Sequence, residues 1–450
     1  MVPNQRGRPP NTPMPRWLVP LWVFLLPLQF HMKGLFPRLA LSDLVLIAYV
    51  PHFLSNGMRA GRGLWHKSIT GLAISIILVG NVVFFSSTGQ ISNWALLNKG
   101  VGLIVLMLSY LMVGEYASAG WERIHHLMRW FTRAVALNAF IAIVAKFLGW
   151  TGTGRIHINW GGGSRLAGFF IDPNAFGGLL VSALVVALVV YFRKGAMYKP
   201  VEGFLTCSIL AVGTFLTYSR SSWIGLVAGT AVGFLLSKAK HRVLSVMVLL
   251  LLGGAIYYAT PVVLQTETKE DAWAQSAVWA LNTQSIEHRV DIVKEGLDFF
   301  RQSPIWGKGL GFYLRDQGLL VHNTIVWILA ELGLIGIAAF AWFIIAHFRR
   351  ALFNIRHSNE WLMPVNVGLL SNFVALAALS VGIEALYQRH WWMVMALISA
   401  GWVMTWRELA AAAALSRRQA RERAVRFAGM RPVPQAGSLA ARALPSRARP

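Results

Sequence analysis

Long apolar runs recur along the whole chain, and they constrain its fold more than any other feature. A helix needs about 20 apolar residues to cross a hydrocarbon core roughly 30 Å thick, because it rises about 1.5 Å per residue. About twelve runs come close to this length. They lie at residues 17–34, 38–54, 68–86, 93–112, 128–149, 174–192, 200–217, 222–237, 243–260, 322–346, 364–386 and 391–407. We therefore predict an all-α polytopic integral membrane protein with about twelve transmembrane helices.

The shortage of charge agrees with lipid as the solvent. Charged residues make up 13% of the sequence and hydrophobic residues 56%, whereas soluble domains carry about 25% charged residues. The first apolar run lacks a small-residue cleavage site, so we expect no removable signal peptide. Cys207 is the single cysteine, which excludes a disulfide within one chain.

Basic residues crowd the connections between alternate runs. These connections lie at residues 59–67, 123–129, 193–199, 238–242 and 349–356, whereas the short turn at 86–92 carries no charge. Cytoplasmic loops of membrane proteins are enriched in Lys and Arg, so the pattern predicts that both termini are cytoplasmic. The same pattern accounts for the net charge of +24, and we expect no nucleic-acid partner because no soluble recognition fold is evident.

This topology divides the chain into three parts. Residues 1–16 form a cytoplasmic N-terminal tail, 17–407 a transmembrane domain and 408–450 a basic cytoplasmic C-terminal tail. Two outer loops are long, at about 150–173 and 261–321, and charge bias does not govern loops of that kind. The C-terminal tail begins as a basic helix, which suits the anionic surface of membrane lipids.

Arg220 lies in the sequence TYSRSSWIGL, between two apolar runs. The turn is so short that Arg220 must lie at the outer membrane boundary, where a buried arginine is usually paired or functional. The next helix begins at this point, and the free N–H groups of a helix start favour an anion such as a phosphate. The alternative is an arginine that merely extends to the interface.

Arg165 lies in GGGSRLAGFFIDPNAFGG, within the first long outer loop. Arg165 is a second cation on the outer side, within reach of the same opening as Arg220, although a salt bridge within the loop would also explain it. Asp172 followed by Pro173 is typical of a helix N-cap and first helical position, so we interpret Asp172 as a structural cap. Arg155 and His157 are weaker candidates of the same kind.

Arg289 lies on a predicted polar helix in the second long outer loop, in SIEHRVDIVKEGLDFFRQ. Such a helix could lie across the outer surface and cover a cleft. The alternative is a surface charge exposed to solvent. We retain Arg289 as a candidate because it would add a third cation to the same face.

His322 opens the tenth apolar run at the predicted outer surface. An unperturbed imidazole titrates near pH 6.5 and can accept a proton at neutral pH, so His322 is a candidate base. A histidine at the end of a span can also be simply interfacial. Glu331 lies nine residues further on, about 180° around a straight helix, and we expect it to pair with a neighbouring helix or with the loop.

The sequence lacks the usual signatures of metal and nucleotide sites. We find no Asp-x-Asp pair in an outer loop, no cluster of His and carboxylates with metal-ligand spacing, and no P-loop or dinucleotide glycine pattern. We therefore expect no metal, no nucleotide and no other cofactor. Arginines with one histidine suit a pre-activated substrate that has a phosphate leaving group.

Three sequence blocks resemble the O-antigen ligase and polymerase superfamily. They are RLAGFFIDPNAFGG at 165–178, LTYSRSSWIGLVAG at 216–229, and GKGLGF with VHNTIVWILAELGLIGI between 307 and 337. The family pattern has an arginine in the second block, an arginine on the loop helix and a histidine at the start of the next span. Arg220, Arg289 and His322 match these positions.

The resemblance implies an inner-membrane glycosyltransferase of the GT-C type with a large periplasmic loop and a periplasmic active site. Such enzymes use a glycan linked to undecaprenyl diphosphate and need neither a metal nor a nucleotide sugar. The ligases transfer that glycan to the lipid A–core oligosaccharide, which completes lipopolysaccharide. In this chain Arg165, Arg220 and Arg289 would bind the diphosphate, and His322 would accept the proton of the acceptor hydroxyl in an inverting displacement.

Three alternatives remain from the sequence. The same blocks occur in O-antigen polymerases and in protein O-oligosaccharyltransferases, although the length and the absence of an added domain favour the ligase. A transporter or flippase of anionic lipid-linked glycans would also carry arginines. Transporters usually bind substrate near the midplane of the bilayer, whereas the candidate cations are predicted at one face.

Overall fold

A computed structural model describes most residues of the 450-residue chain. The described residues are 14–29, 40–56, 63–150, 152–153, 156–157, 159–160, 165–170, 172–193, 197–236, 283–317 and 321–429. The predicted ninth run, 243–260, lies outside them.

The part of the chain that the structure describes is almost entirely helical, as predicted. Its α-helices are α1 Leu18–Leu25, α2 Leu41–Asn56, α3 Lys67–Ala73, α4 Gly80–Thr88, α5 Val101–Ala117, α6 Trp121–Phe147, α7 Pro173–Phe192, α8 Pro200–Leu216, α9 Arg220–Leu235, α10 Thr283–Gln302, α11 Phe312–Gln317, α12 Thr324–Arg356, α13 Met363–Leu379 and α14 Arg389–Gly429. Two π-helical segments, Ile74–Val79 and Trp94–Gly100, continue into α4 and α5. Four two-residue strands form two antiparallel pairs: β1 Gly152–Thr153 with β2 Ile156–His157, and β3 Asn159–Trp160 with β4 Arg165–Leu166.

Within the described ranges, five helical stretches are long and apolar enough to cross a membrane. They are Lys67–Thr88, Trp94–Ala117, Trp121–Phe147, Pro173–Phe192 and Thr324–Arg356, and shorter apolar helices lie at Leu41–Ser55, Pro200–Leu216 and Met363–Leu379. The first predicted run differs most from expectation. Its helix ends at Leu25, because Pro27 has no N–H group with which to continue the helical hydrogen bonds.

Helix α13 packs against both α7 and α9 in the centre of the bundle. Small residues permit this close approach: a methyl group at Gly225 would lie 2.8 Å from the backbone oxygen of Ala375, and one at Gly229 would lie 2.7 Å from that of Ser371. Membrane helices often associate through such small residues, since lipid provides little hydrophobic drive. The packing places the start of α9 beside the end of α13.

Helix α12 is broken at Gly333, which has a φ of 61° that favours glycine. The break leaves backbone groups without helical partners, and the loop before α11 satisfies them. Lys308 N–H donates to Ala330 O at 2.9 Å, and Leu334 N–H donates to Pro304 O at 2.8 Å. A broken helix is tolerated at membrane depth only where protein or water replaces its hydrogen bonds, and here the loop replaces them.

The same loop reaches a second helix on its other side. Leu310 N–H donates to the carbonyl of Gly80 at 2.9 Å, directly after the π-helical segment Ile74–Val79. Gly309 has a φ of 97°, and a methyl group there would collide with the backbone nitrogen of Phe84. The loop therefore fills the space between α4 and the break in α12.

By its internal contacts the chain divides into two compact units, Met1–Met404 and Thr405–Pro450. In the second unit the structure describes a helix that continues to Gly429 and whose side chains are exposed from Trp406 to Arg423. All the candidate site residues belong to the first unit.

Candidate functional site

Arg220 is the first residue of α9, directly after the N-cap Ser219. The Ser219 hydroxyl oxygen accepts a hydrogen bond from the backbone N–H of Ser222 at 3.4 Å. The prediction that a helix begins at this arginine is therefore confirmed. Arg220 is half-buried, and both its guanidinium and the positive end of the α9 dipole favour an anion.

Arg165, on β4, joins two parts of the chain that follow it. Its Nε donates to the backbone oxygen of Thr217 at 3.0 Å, and its Nη2 donates to Oδ1 of Asn174 at 2.9 Å. Thr217 lies three residues before Arg220. These two bonds therefore hold Arg165 between the start of α7 and the turn that leads into α9.

Asp172 is the N-cap of α7, and Pro173 occupies its first turn. Oδ2 of Asp172 accepts a hydrogen bond from the Ala175 N–H at 3.1 Å, and Oδ1 accepts one from Nδ2 of Asn174 at 3.2 Å. The interpretation of Asp172 as a structural cap is confirmed. Because Asn174 also bonds Arg165, the amide bridges the carboxylate and the guanidinium.

Arg165, Arg220 and Arg289 interact electrostatically, and we refer to these three residues as the arginine cluster. Burial lowers the pKa of Arg165, the negative charge of Asp172 raises it, and the positive charges of Arg289 and Arg220 lower it. Burial also lowers the pKa of Arg289, while Asp172 raises it. The fold thus brings together guanidinium groups from three separate segments, beside one carboxylate.

Arg289 lies on α10, which the sequence predicted as a polar helix and the structure confirms as Thr283–Gln302. The helix rests on α12 through its apolar side, where Ile292 is buried and a methyl group at Gly296 would meet Val326. Phe299 contacts Phe312 edge-on, with ring centroids 5.4 Å apart. This packing holds α10, and with it Arg289, against the first turns of α12.

His322 is exposed and precedes α12 by two residues. The next residue, Asn323, caps the helix: its Oδ1 accepts the N–H groups of Ile325 and Val326, both at 3.0 Å. The imidazole therefore belongs to the residue directly before the N-cap of α12, and the capped helix start holds that residue in place.

Residues 380–385, which follow α13, connect His322 with Arg220. Thr324, next but one to His322, donates from its N–H to Ser380 O at 2.9 Å and from its hydroxyl to Ile383 O at 2.8 Å. In the same segment a methyl group at Gly382 would lie 2.5 Å from Cβ of Ser221, the neighbour of Arg220. The starts of α9 and α12 therefore contact the same short segment.

Glu331 is buried and accepts three hydrogen bonds. Its Oε2 accepts the Trp327 indole N–H at 2.7 Å and the Gly311 N–H at 2.8 Å, while Oε1 accepts the Tyr313 N–H at 3.2 Å. The prediction that Glu331 pairs with a neighbouring helix or the loop is confirmed, since it holds residues 311–313. Glu331 therefore fixes residues 311–313 beside α12, nine residues after His322.

Sequence reasoning missed a buried ion pair beside this carboxylate. Lys99 pairs with Glu384, and its Nζ lies 4.7 Å from the ring centre of Trp327 and 4.4 Å from that of Tyr387. Glu384 belongs to the segment that contacts Thr324. The signal in the sequence was a lysine within an apolar run, which is costly unless it is paired or functional.

Two weaker candidates cannot be placed. Arg155 lies outside the described residues, and for His157 the structure describes the backbone alone, in β2. Among the described residues no group of three or more His, Cys, Asp or Glu side chains could hold a metal ion.

Comparison with known families gives an independent assignment. Residues 205–341 match the family model described as O-Antigen ligase. This segment contains Arg220, Arg289 and His322, while Arg165 precedes it. A comparison with curated proteins gave no match. The family comprises glycosyltransferase-like ligases and polymerases, which implies a membrane protein acting on a lipid-linked glycan. The match confirms the resemblance seen in the sequence, and residues 205–341 are similar to the O-antigen ligase family.

Proposed function

We propose that this protein is an O-antigen ligase of the bacterial inner membrane. It would transfer a glycan from undecaprenyl diphosphate to the lipid A–core oligosaccharide at the periplasmic face, within a GT-C-type bundle of about twelve spans. The observation that carries the proposal is the arginine cluster, which lies at the start of α9 and shares the 380–385 segment with the His322 end of α12.

The arginine cluster is suited to bind a diphosphate. Guanidinium groups form charge-assisted hydrogen bonds to phosphate oxygens, each worth roughly 1.5–3 kcal/mol. The partial burial of Arg165, Arg220 and Arg289 strengthens such bonds because less water competes for the charge. These groups would hold the donor and stabilise the negative charge that develops on the leaving diphosphate.

His322 is suited to receive a proton from the acceptor. In the proposed step the acceptor hydroxyl oxygen forms a bond to the anomeric carbon of the donor sugar. The bond between that carbon and the phosphate oxygen breaks, and its electron pair leaves with the diphosphate. The hydroxyl proton passes to the imidazole of His322. A single displacement of this kind inverts the anomeric carbon.

The test is a transfer assay with purified protein, a defined undecaprenyl-diphosphate glycan and lipid A–core, read by mass analysis of the product. We expect a glycan joined to lipid A–core in the wild type, and no product from Arg220→Ala or His322→Ala, although both variants insert into the membrane. Full transfer by both variants would overturn the assignment of these residues.

A polymerase is the second candidate, because the matched family includes both activities. The same assay separates them, since a polymerase extends the lipid-linked glycan itself and needs no lipid A–core. Proteoliposomes with donor and acceptor confined to the outer compartment test the transporter alternative. Product formed there without translocation of the donor favours the transferase.

A further inference from the structure

The carboxylate of Asp172 is fixed beside the arginine cluster rather than pointing into solvent. It accepts hydrogen bonds from the Ala175 N–H and the Asn174 amide, and that amide in turn accepts one from Arg165. Its negative charge acts on both Arg165 and Arg289. A cluster built to bind an anion therefore contains an anionic group of its own, which weakens the attraction for any ligand of the same sign.

Capping alone does not account for a charged residue at this position. Asn and Ser cap helices about as well as Asp, since the cap needs only an oxygen that accepts a backbone N–H. An aspartate adds a charge, which here acts on two of the three guanidinium groups, those of Arg165 and Arg289. The charge is therefore the property that requires a separate explanation.

The charges of the described groups can be compared with those of the ligand. Three guanidinium groups and one carboxylate leave the cluster with two positive charges. A diphosphate esterified at both ends has one ionisable hydroxyl on each phosphorus and carries two negative charges. When the sugar leaves, the terminal phosphate gains a second ionisation with a pKa near 6, so the product carries about three negative charges near neutral pH.

We propose that Asp172 sets the net charge of the arginine cluster, so that the cluster matches the intact donor and releases the more negative polyprenyl diphosphate product. This inference rests on the proposed function. Without the carboxylate the cluster would carry a third positive charge and would retain the product. Asp172 would thus determine which of the two diphosphates the site prefers, without contact to the reacting atoms.

The test uses Asp172→Asn, which keeps a good capping oxygen and removes the charge. Farnesyl diphosphate serves as a short analogue of the product, and its binding to the full-length protein in detergent is measured by calorimetry. We expect roughly tenfold tighter binding by the variant at low salt, with a smaller gain at high salt, because screening weakens charge interactions. Farnesyl monophosphate, which carries less charge, should gain less.

Two further variants separate charge from structure. Asp172→Ser also caps and also removes the charge, so it should reproduce the gain, and it replaces the asparagine variant if that one does not fold. Glu202→Gln removes a carboxylate that pairs with Arg129 and Arg133 away from the cluster, and it should leave farnesyl diphosphate binding unchanged. A merely structural role predicts weaker or equal binding in every Asp172 variant, and this outcome would overturn the proposal.

The transfer reaction gives a second readout. With the asparagine variant we expect a single-turnover rate at least as high as that of the wild type, because the extra positive charge also favours the charge that develops on the leaving diphosphate. We expect a slower steady state, with stronger inhibition by added product. Equal inhibition of wild type and variant would refute the role of Asp172 while leaving the ligase proposal intact. A wild-type protein that neither binds farnesyl diphosphate nor transfers glycan would instead refute the proposed function itself.

Discussion

The Tyr313 hydroxyl donates a hydrogen bond to Oε2 of Glu295 at 2.9 Å, and through this contact α11 is tied to α10. The backbone N–H of the same tyrosine donates to Glu331. Glu295 lies six residues after Arg289, and Glu331 lies nine residues after His322. Tyr313 therefore links the helix that carries the candidate phosphate ligand with the helix that follows the candidate base.

We expect Glu331→Gln to impair both folding stability and transfer. The carboxylate accepts three N–H donors, whereas an amide has one acceptor oxygen and presents its NH₂ group to the remaining donors. Buried donors left unsatisfied cost about 1–3 kcal/mol each. Thermal unfolding in detergent should show a lower Tm, and kcat should fall about tenfold or more, since 1.4 kcal/mol of lost positioning is tenfold in rate.

Tyr313→Phe provides the matched comparison for that carboxylate. It keeps the backbone bond to Glu331 and loses the hydroxyl bond to Glu295, so we expect about 1 kcal/mol of lost stability and a smaller loss of rate. If Glu331→Gln lowered Tm and kcat no more than Tyr313→Phe does, Glu331 would not be the residue that holds the loop in place.

Arg289→Ala should reduce kcat/KM for the donor about 100-fold, because it removes charge-assisted hydrogen bonds worth roughly 1.5–3 kcal/mol. The matched control lies on the same helix. Arg301 is exposed and pairs only across one turn, with Asp298 at 2.7 Å, so Arg301→Ala should leave transfer within about twofold of the wild type. Equal losses in both variants would point to the helix as a whole rather than to the guanidinium of Arg289.

His322→Gln should lower kcat about 10²–10⁴-fold, the usual contribution of general acid–base catalysis, and leave farnesyl diphosphate binding nearly unchanged. In the wild type the rate should rise with pH as the base loses its proton and then level off, because only the neutral imidazole can accept the proton. The variant should lack this rise. His357→Gln, at the other end of α12, serves as the control. A variant that keeps the same pH dependence would exclude His322 as the base.

Gly309→Ala should be strongly destabilising, because an added methyl group meets the Phe84 backbone and the φ of 97° is strained for alanine. Gly89→Ala separates the two causes. Gly89 has a φ of 64° with nothing within 4 Å of the added methyl group, so we expect a cost of only about 1 kcal/mol. Thermal unfolding of both variants measures the difference. An equal fall in Tm in both variants would mean that the loop can move away from α4 without a large loss of stability.

The amino-acid sequence by itself determined the all-helical class of fold, and it predicted the candidate site residues. Helices lie at eleven of the twelve predicted apolar runs, with the remaining run outside the described residues. The helix start at Arg220 and the cap at Asp172 were also predictable. These features follow from local rules, since hydropathy and capping depend on residues that are near neighbours in the chain.

Only the tertiary structure decided how the site is assembled. Arg165, Arg220 and Arg289 come from three separate segments, and the pairing of Lys99 with Glu384 joins residues far apart in the sequence. The break in α12 at Gly333 was not predicted either, because an apolar run with one glycine looks like a continuous helix. The loop at 304–311 makes the break possible by replacing the lost hydrogen bonds. Contacts of this kind depend on packing between distant segments, which local sequence patterns do not encode.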